Sequence, residues 1–286
     1  MFGLLAAALW GGGAFAGSAA VKRMGSTVRG ALVVVLIGHI VSLASVASLA
    51  LLNSHALPHG TPLWLGIAGG AISSISLVAF YIALSTGHMG SAAAVSGLLC
   101  AAVPAIASGF MEGAPGALRL VGFLLAGLAI WMIASASDPD HSTSRRAMVL
   151  STLGGIGFGI YFTTLKFASA AGVLWGMAAA RTGSAGTAAI ALLALTLFGV
   201  REGGEIAPRK GLTLLWIVGG AALDTGGNMS FLAATRVGRL DVAAVLSSLY
   251  PAGTILLAAW LLHEKTAPRQ KLGMLLALPA VVLITL

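Results

Sequence analysis

Apolar residues run through this chain in blocks of about 18 or more, without the alternation of a strand and without the polar face of a soluble helix. Blocks of that length match a helix crossing a bilayer, which needs roughly 20 apolar residues. The pattern predicts ten such helices, at 2–20, 29–52, 62–86, 90–111, 117–136, 147–166, 172–199, 211–235, 240–262 and 269–286. Short breaks rich in Pro, Gly and charge separate them, such as "NSHALPHGTP" and "VREGGEIAPRK". The longest charged break, "SDPDHSTSRR" at 137–146, lies near the middle of the chain.

The two sides of that break resemble each other. With a shift of 150 residues, "YIALSTGHMGSAAAV" (81–95) lies over "FLAATRVGRLDVAAV" (231–245). Ala83, Ala93, Ala94 and Val95 then meet identical residues, and Tyr81 meets Phe231. A shift of 148 places Trp10-Gly11 over Phe158-Gly159. The expectation is an all-α integral membrane protein of ten transmembrane helices arranged as two inverted five-helix repeats, 1–137 and 145–286. Five spans per repeat is an odd number, so the second repeat enters the bilayer in the opposite sense. Inverted repeats of this kind build secondary transporters, with the binding site near the midplane between them.

Composition agrees with a membrane setting. Of 286 residues, 58% are hydrophobic and 8% charged, too few charges to coat a soluble domain; the mean hydropathy is +0.99. The net charge of +8 is scattered through loops and forms no patch, so it does not point to nucleic acid. The sole cysteine, Cys100, excludes an intrachain disulfide. The first apolar run has no basic segment before it and reads as a retained span, not a cleaved signal peptide. Odd-numbered loops hold eleven Lys and Arg residues and even-numbered loops four, which puts the odd loops in the cytoplasm and both termini outside.

Three groups of residues resemble a known family. They are "LWGGGAF" (9–15), "VLSSLYPAGTILLAAWLLHEKTAPRQKLG" (245–273) and a weaker echo, "VSGLLCAAVPAIASGFMEGAPGALRLVG" (95–122). Ser247, Ser248, Pro251 and Glu264 in the later stretch, and Pro104, Glu112 and Gly122 in the earlier one, with Ser96 a partial match, resemble the pattern closing each half in the drug/metabolite transporter superfamily, in particular its EamA-type exporters. The resemblance implies export of small metabolites, with amino acids, aromatic ones included, as a well-represented class. Members usually carry their basic cluster in loop 2. Here loop 1 holds three basic residues and loop 2 none, so the residues and the family habit give opposite orientations.

Candidate chemistry follows from scarcity. Seven of the eight acidic residues fall in loops or at span ends; Asp224 alone lies deep in a span. An ionisable group there costs at least roughly 2.5–3.5 kcal/mol and ordinarily faces a cavity or a buried partner. Helical spacing puts Asn228, Phe231 and Thr235 on its face, and the repeat-related positions are Ser74, Val78, Tyr81 and Ser85. Both faces are expected to line a central cavity, with Trp10, Tyr161 and Tyr250 shaping its apolar part. Arg181, the one base deep in a span, is a candidate partner for Asp224 or for a substrate carboxylate, and His39 a candidate carrier of a coupling proton. For each, a structural role is the alternative.

No ATP-binding loop, metal cluster or nucleophile elbow is present in the sequence, and no cofactor or metal is expected. The expected function is a secondary exporter of small metabolites, most readily amino acids, in a bacterial inner membrane. Its expected partners are a small-molecule substrate and the lipid bilayer, with proton coupling and uniport both open, no nucleic acid, and the monomer sufficient. The alternatives are a multidrug or cation exporter and, in another class, a membrane enzyme or lipid-modifying protein.

Overall fold

The computed structural model describes residues 1–53, 57, 59–86, 89–134, 145–200, 210–261 and 267–286. Within them the chain forms eleven α-helices and one short 3-10 turn (Ser169–Ala171), and no strand. The helices are α1 (Phe2–Arg23), α2 (Val28–Leu52), α3 (Thr61–Thr86), α4 (Met89–Glu112), α5 (Ala117–Ala134), α6 (Arg145–Ala168), α7 (Val173–Leu197), α8 (Lys210–Val237), α9 (Leu240–Ser247), α10 (Tyr250–Leu261) and α11 (Pro268–Thr285). Several charged residues of the sequence reading lie outside the described residues: Asp138, Asp140, Arg201, Glu202, Glu205, Arg209, Glu264 and Lys265, together with His55 and His88.

Among the described residues, seven helical segments are long and apolar enough to cross a membrane: Phe2–Arg23, Val28–Leu52, Thr61–Thr86, Val95–Glu112, Arg145–Ala168, Val173–Leu197 and Leu240–Leu261. The other three sequence-predicted spans are helical but fall short for identifiable reasons. In α5 the apolar stretch is short, Ala117–Met132. The 28-residue α8 carries Asp224 and Asn228. The 18-residue α11 opens with Pro268, Arg269, Gln270 and Lys271. Large apolar side chains cover the outer faces; Leu124, Leu193, Leu215 and Leu278 are all more than half exposed. Such a surface suits hydrocarbon, where burial from water is no longer the driving force between helices.

The span expected over 240–262 is broken in two. Pro251 has no N–H to donate to the carbonyl of Ser247, which removes one helical hydrogen bond at this point. The chain turns at Ser248 and Leu249, and α10 restarts at Tyr250. Between α1 and α2 the turn is tight. Gly25 takes φ +79°, the left-handed region glycine enters without steric cost. The Thr27 hydroxyl then accepts the Gly30 N–H at 3.0 Å and caps α2.

The largest helix interfaces join α1–α5 to α6–α11. α1 packs along α8, α3 along α6 and α7, α2 along α7, α4 along α6, and α5 along α11. Further contacts link α1 to α9 and α10, α2 to α8, and α4 to α9. Where α3 crosses α7 the backbones nearly touch. A Cβ on Gly70 would run into the carbonyl of Ala180, and one on Gly183 into the carbonyl of Ile67. Without hydrophobic driving force, close van der Waals approach at such small residues holds membrane helices together.

Candidate functional site

Six helices from both sides of the mid-chain break enclose one cavity, of about 480 Å³ counted to its open mouth. Half of its lining residues are aromatic. Trp10 of α1 stacks on Phe162 of α6, centroids 4.5 Å apart and planes 10° from parallel. Phe80 of α3 meets Phe158 of α6 and Tyr250 of α10 edge-on, at 5.6 and 5.9 Å. Edge-to-face and offset pairs of this kind add attraction beyond the area they bury. The polar part of the wall comes from Ser73, Asp224 and Asn228 and from the phenols of Tyr81, Tyr161 and Tyr250.

The carboxylate of Asp224 is paired and still reaches the cavity. Arg181 of α7 donates from Nη2 to Oδ2 at 2.6 Å, while 16% of the Asp224 side chain stays exposed. The same guanidinium donates from Nε to the Ser42 hydroxyl at 3.0 Å and from Nη1 to Nε2 of His39 at 3.1 Å. An arginine N–H has no lone pair to accept with, so Nε2 of His39 is the acceptor and its proton sits on Nδ1. That Nδ1–H is then the donor to the Ser184 hydroxyl, 2.5 Å away. His39 is thereby a neutral imidazole, with Nε2 3.9 Å from Asp224 Oδ2. Ser42 also bonds the Thr225 hydroxyl at 2.6 Å, joining α2 to α8.

Asn228 lies one turn beyond Asp224. Its amide nitrogen donates to the Asp224 carbonyl at 2.8 Å and to Oδ1 at 3.2 Å. Both partners are acceptors, which fixes the orientation of the amide and leaves Oδ1 facing nothing. That oxygen and the Tyr161 hydroxyl are buried without a hydrogen-bond partner, and both residues line the cavity. Buried polar atoms are nearly always paired, so two unpaired ones on residues of one cavity wall make Asn228 and Tyr161 the first candidates for bonding a ligand. A smaller cavity of about 280 Å³ lies on the His39 side and shares Leu77, Tyr81 and Asp224 with the first.

Of the residues singled out from the sequence, Trp10, Tyr81, Tyr161, Asp224, Asn228 and Tyr250 line the cavity together. Arg181 and His39 stand directly behind Asp224. Phe231 is fully buried behind the wall, its ring 4.9 Å from Phe162 and 5.7 Å from Trp10. Ser74 is buried with an unpartnered hydroxyl and is not on the wall; on α3 the lining residues are Ser73, Leu77, Phe80 and Tyr81. Thr235 turns its hydroxyl to the Leu232 carbonyl at 2.9 Å. Sequence reasoning missed Ser42, Ser184 and Thr225. It also missed Phe158 and Phe162 as wall residues, although their i, i+4 spacing flanking Tyr161 on α6 is a signal in the sequence.

A second polar cluster joins the ends of α4, α6 and α9. The Glu112 carboxylate takes Lys166 Nζ on Oε1, and on Oε2 the Ser108 hydroxyl at 2.8 Å and the Leu240 N–H at 3.0 Å. Arg239 binds the carbonyls of Glu112 and Gly113, and its bonds to Asp241 hold its guanidinium above the usual arginine range.

Comparison with known proteins meets this architecture. Over residues 145–286 the chain matches the model of the EamA-like transporter family, within the drug/metabolite transporter superfamily. It is therefore a multi-pass membrane transporter of that type. No curated protein matches the chain. Among solved structures, one described only as "Crystal structure of protein" superposes with a TM-score of 0.70, covering 99% of this chain and 95% of its own, at 16% identity. Likeness at that identity concerns the fold alone.

Proposed function

We propose that the protein is a secondary transporter that exports small metabolites, amino acids with aromatic or apolar side chains first among them, by alternating access around the aromatic cavity. The observation that carries this reading is the cavity's position. Its wall is drawn from α1, α3 and α4 on one side of the mid-chain break and from α6, α8 and α10 on the other. A site shared in that way changes sides when one half rocks against the other.

The helix contacts support two inverted five-helix repeats, 1–137 and 145–286, with α9 and α10 counted as one span. Exchanging each helix with its repeat mate turns the α1–α8 contact into α6–α3, α3–α7 into α8–α2, and α4–α6 into the α1 contact with α9 and α10. Repeat-related residues also share the wall, Trp10 with Phe158 and Cys100 with Tyr250. An ammonium group would sit toward Asn228 Oδ1 and Asp224, and an aromatic body against Trp10, Phe158 and Phe162. The setting is a bacterial inner membrane, with a single copy as the working unit.

Counterflow into proteoliposomes tests this. Vesicles preloaded with an unlabelled aromatic amino acid should accumulate the labelled one only when they contain the protein. Flux no greater than in protein-free vesicles for all twenty amino acids would end the amino-acid assignment.

A further inference from the structure

The charge of the cavity is set by a pair and not by one carboxylate. Among the described residues, Asp224 is the only carboxylate on the wall. Arg181, 1% exposed and behind that wall, neutralises it directly. The other titratable groups facing the pair are neutral hydrogen-bonding groups: the His39 imidazole on α2, whose Nε2 accepts from Arg181, and the phenols of Tyr81 on α3 and Tyr161 on α6. The lining residues of α1 are Trp10, Gly13 and Ala14, without charge. The described core therefore sums to zero. Its two open valences, Asn228 Oδ1 and the Tyr161 hydroxyl, are dipoles. A ligand with one unbalanced charge would leave water and find no opposite charge free, in a low-dielectric interior where that loss is poorly screened.

We propose that the Arg181–Asp224 pair fixes the net charge of the ligand at zero: the cavity takes an aromatic solute that is uncharged or zwitterionic, and turns away the same aromatic body carrying one net positive or negative charge. The inference rests on the cavity being a ligand site for aromatic solutes. It removes the simplest role for Asp224, that of counter-ion to a cationic substrate. Arg181 becomes a residue that determines specificity without standing on the wall.

Four probes with one common ring test it: indole (uncharged), tryptophan (zwitterion), tryptamine (cation) and indole-3-propionate (anion). Binding of each to the purified full chain is measured near neutral pH. The better of indole and tryptophan should bind at least about tenfold more tightly than either charged probe. Asp224→Asn leaves Arg181 uncompensated, so indole-3-propionate should become the preferred probe; Arg181→Gln should shift preference to tryptamine. General damage would weaken all four together, so opposite shifts in the two variants are the signature. Tightest binding of tryptamine or indole-3-propionate to the unmodified protein overturns the charge rule and leaves the cavity reading standing. That order is decisive even if a variant does not fold. Absence of binding by all four overturns the aromatic-ligand reading and the charge rule with it.

Discussion

One guanidinium, that of Arg181, binds Asp224 on α8 and both His39 and Ser42 on α2. Removing its anionic partner among the described residues leaves a buried, uncompensated charge, which costs about 3–5 kcal/mol in comparable pairs. Asp224→Ala should therefore lower thermal stability in detergent sharply, and the double variant Asp224→Ala/Arg181→Met should recover most of the loss. Equal stability of the single and double variants would deny that the Arg181 guanidinium is left buried and uncompensated. The hydrogen bonds also fix the His39 tautomer. Nitrogen NMR of the ring should show a protonated Nδ1 and a bare Nε2 around neutral pH, and a doubly protonated ring would contradict the network. Asp224, Arg181 and His39 were legible in the sequence because charges are so rare in its spans. Ser42 and Ser184 were not, because hydroxyls on apolar helices usually bond their own backbone, as Thr225 also does with Ala221 at 2.7 Å. The choice between Ser73 and Ser74 was beyond reach for another reason. Adjacent residues point about 100° apart, and only packing against α6 and α7 sets the rotation of α3.

At the scale of elements, proline and glycine decided what apolar periodicity left open. Length and hydropathy predict a single helix over 240–262, while Pro251 splits it beside the cavity. Gly70 and Gly183 set how closely α3 and α7 cross. Gly183→Leu should push the backbones apart and cost about 1–3 kcal/mol or more, as overpacking does elsewhere. Gly186→Ala, on the same helix with open space around it, should be neutral or stabilising by up to about 1 kcal/mol. Thermal unfolding of the two variants side by side checks this; equal effects would mean the crossing is not tight. The Glu112 cluster was half legible. Its place at a span end followed from the sequence, but its hold on α6 and α9 depends on residues 54 and 128 positions away.

For the whole molecule, all-helical membrane character was written in the apolar blocks, and the family resemblance in short stretches, of which 245–273 lies inside the part that the family model matches. The wall of Phe80, Phe158 and Phe162 was only weakly signalled, by the i, i+4 spacing on α6, because an aromatic side chain facing a cavity and one facing the core look alike in an apolar span. The central claim is that this wall is the transport path. The most direct measurement is counterflow of a labelled aromatic amino acid in proteoliposomes containing either the unmodified protein or the Asn228→Leu variant, which removes the open acceptor. The prediction is protein-dependent uptake that falls about tenfold or more in a variant that still folds. Uptake by that variant at the unmodified rate, or no uptake by either protein, would contradict it.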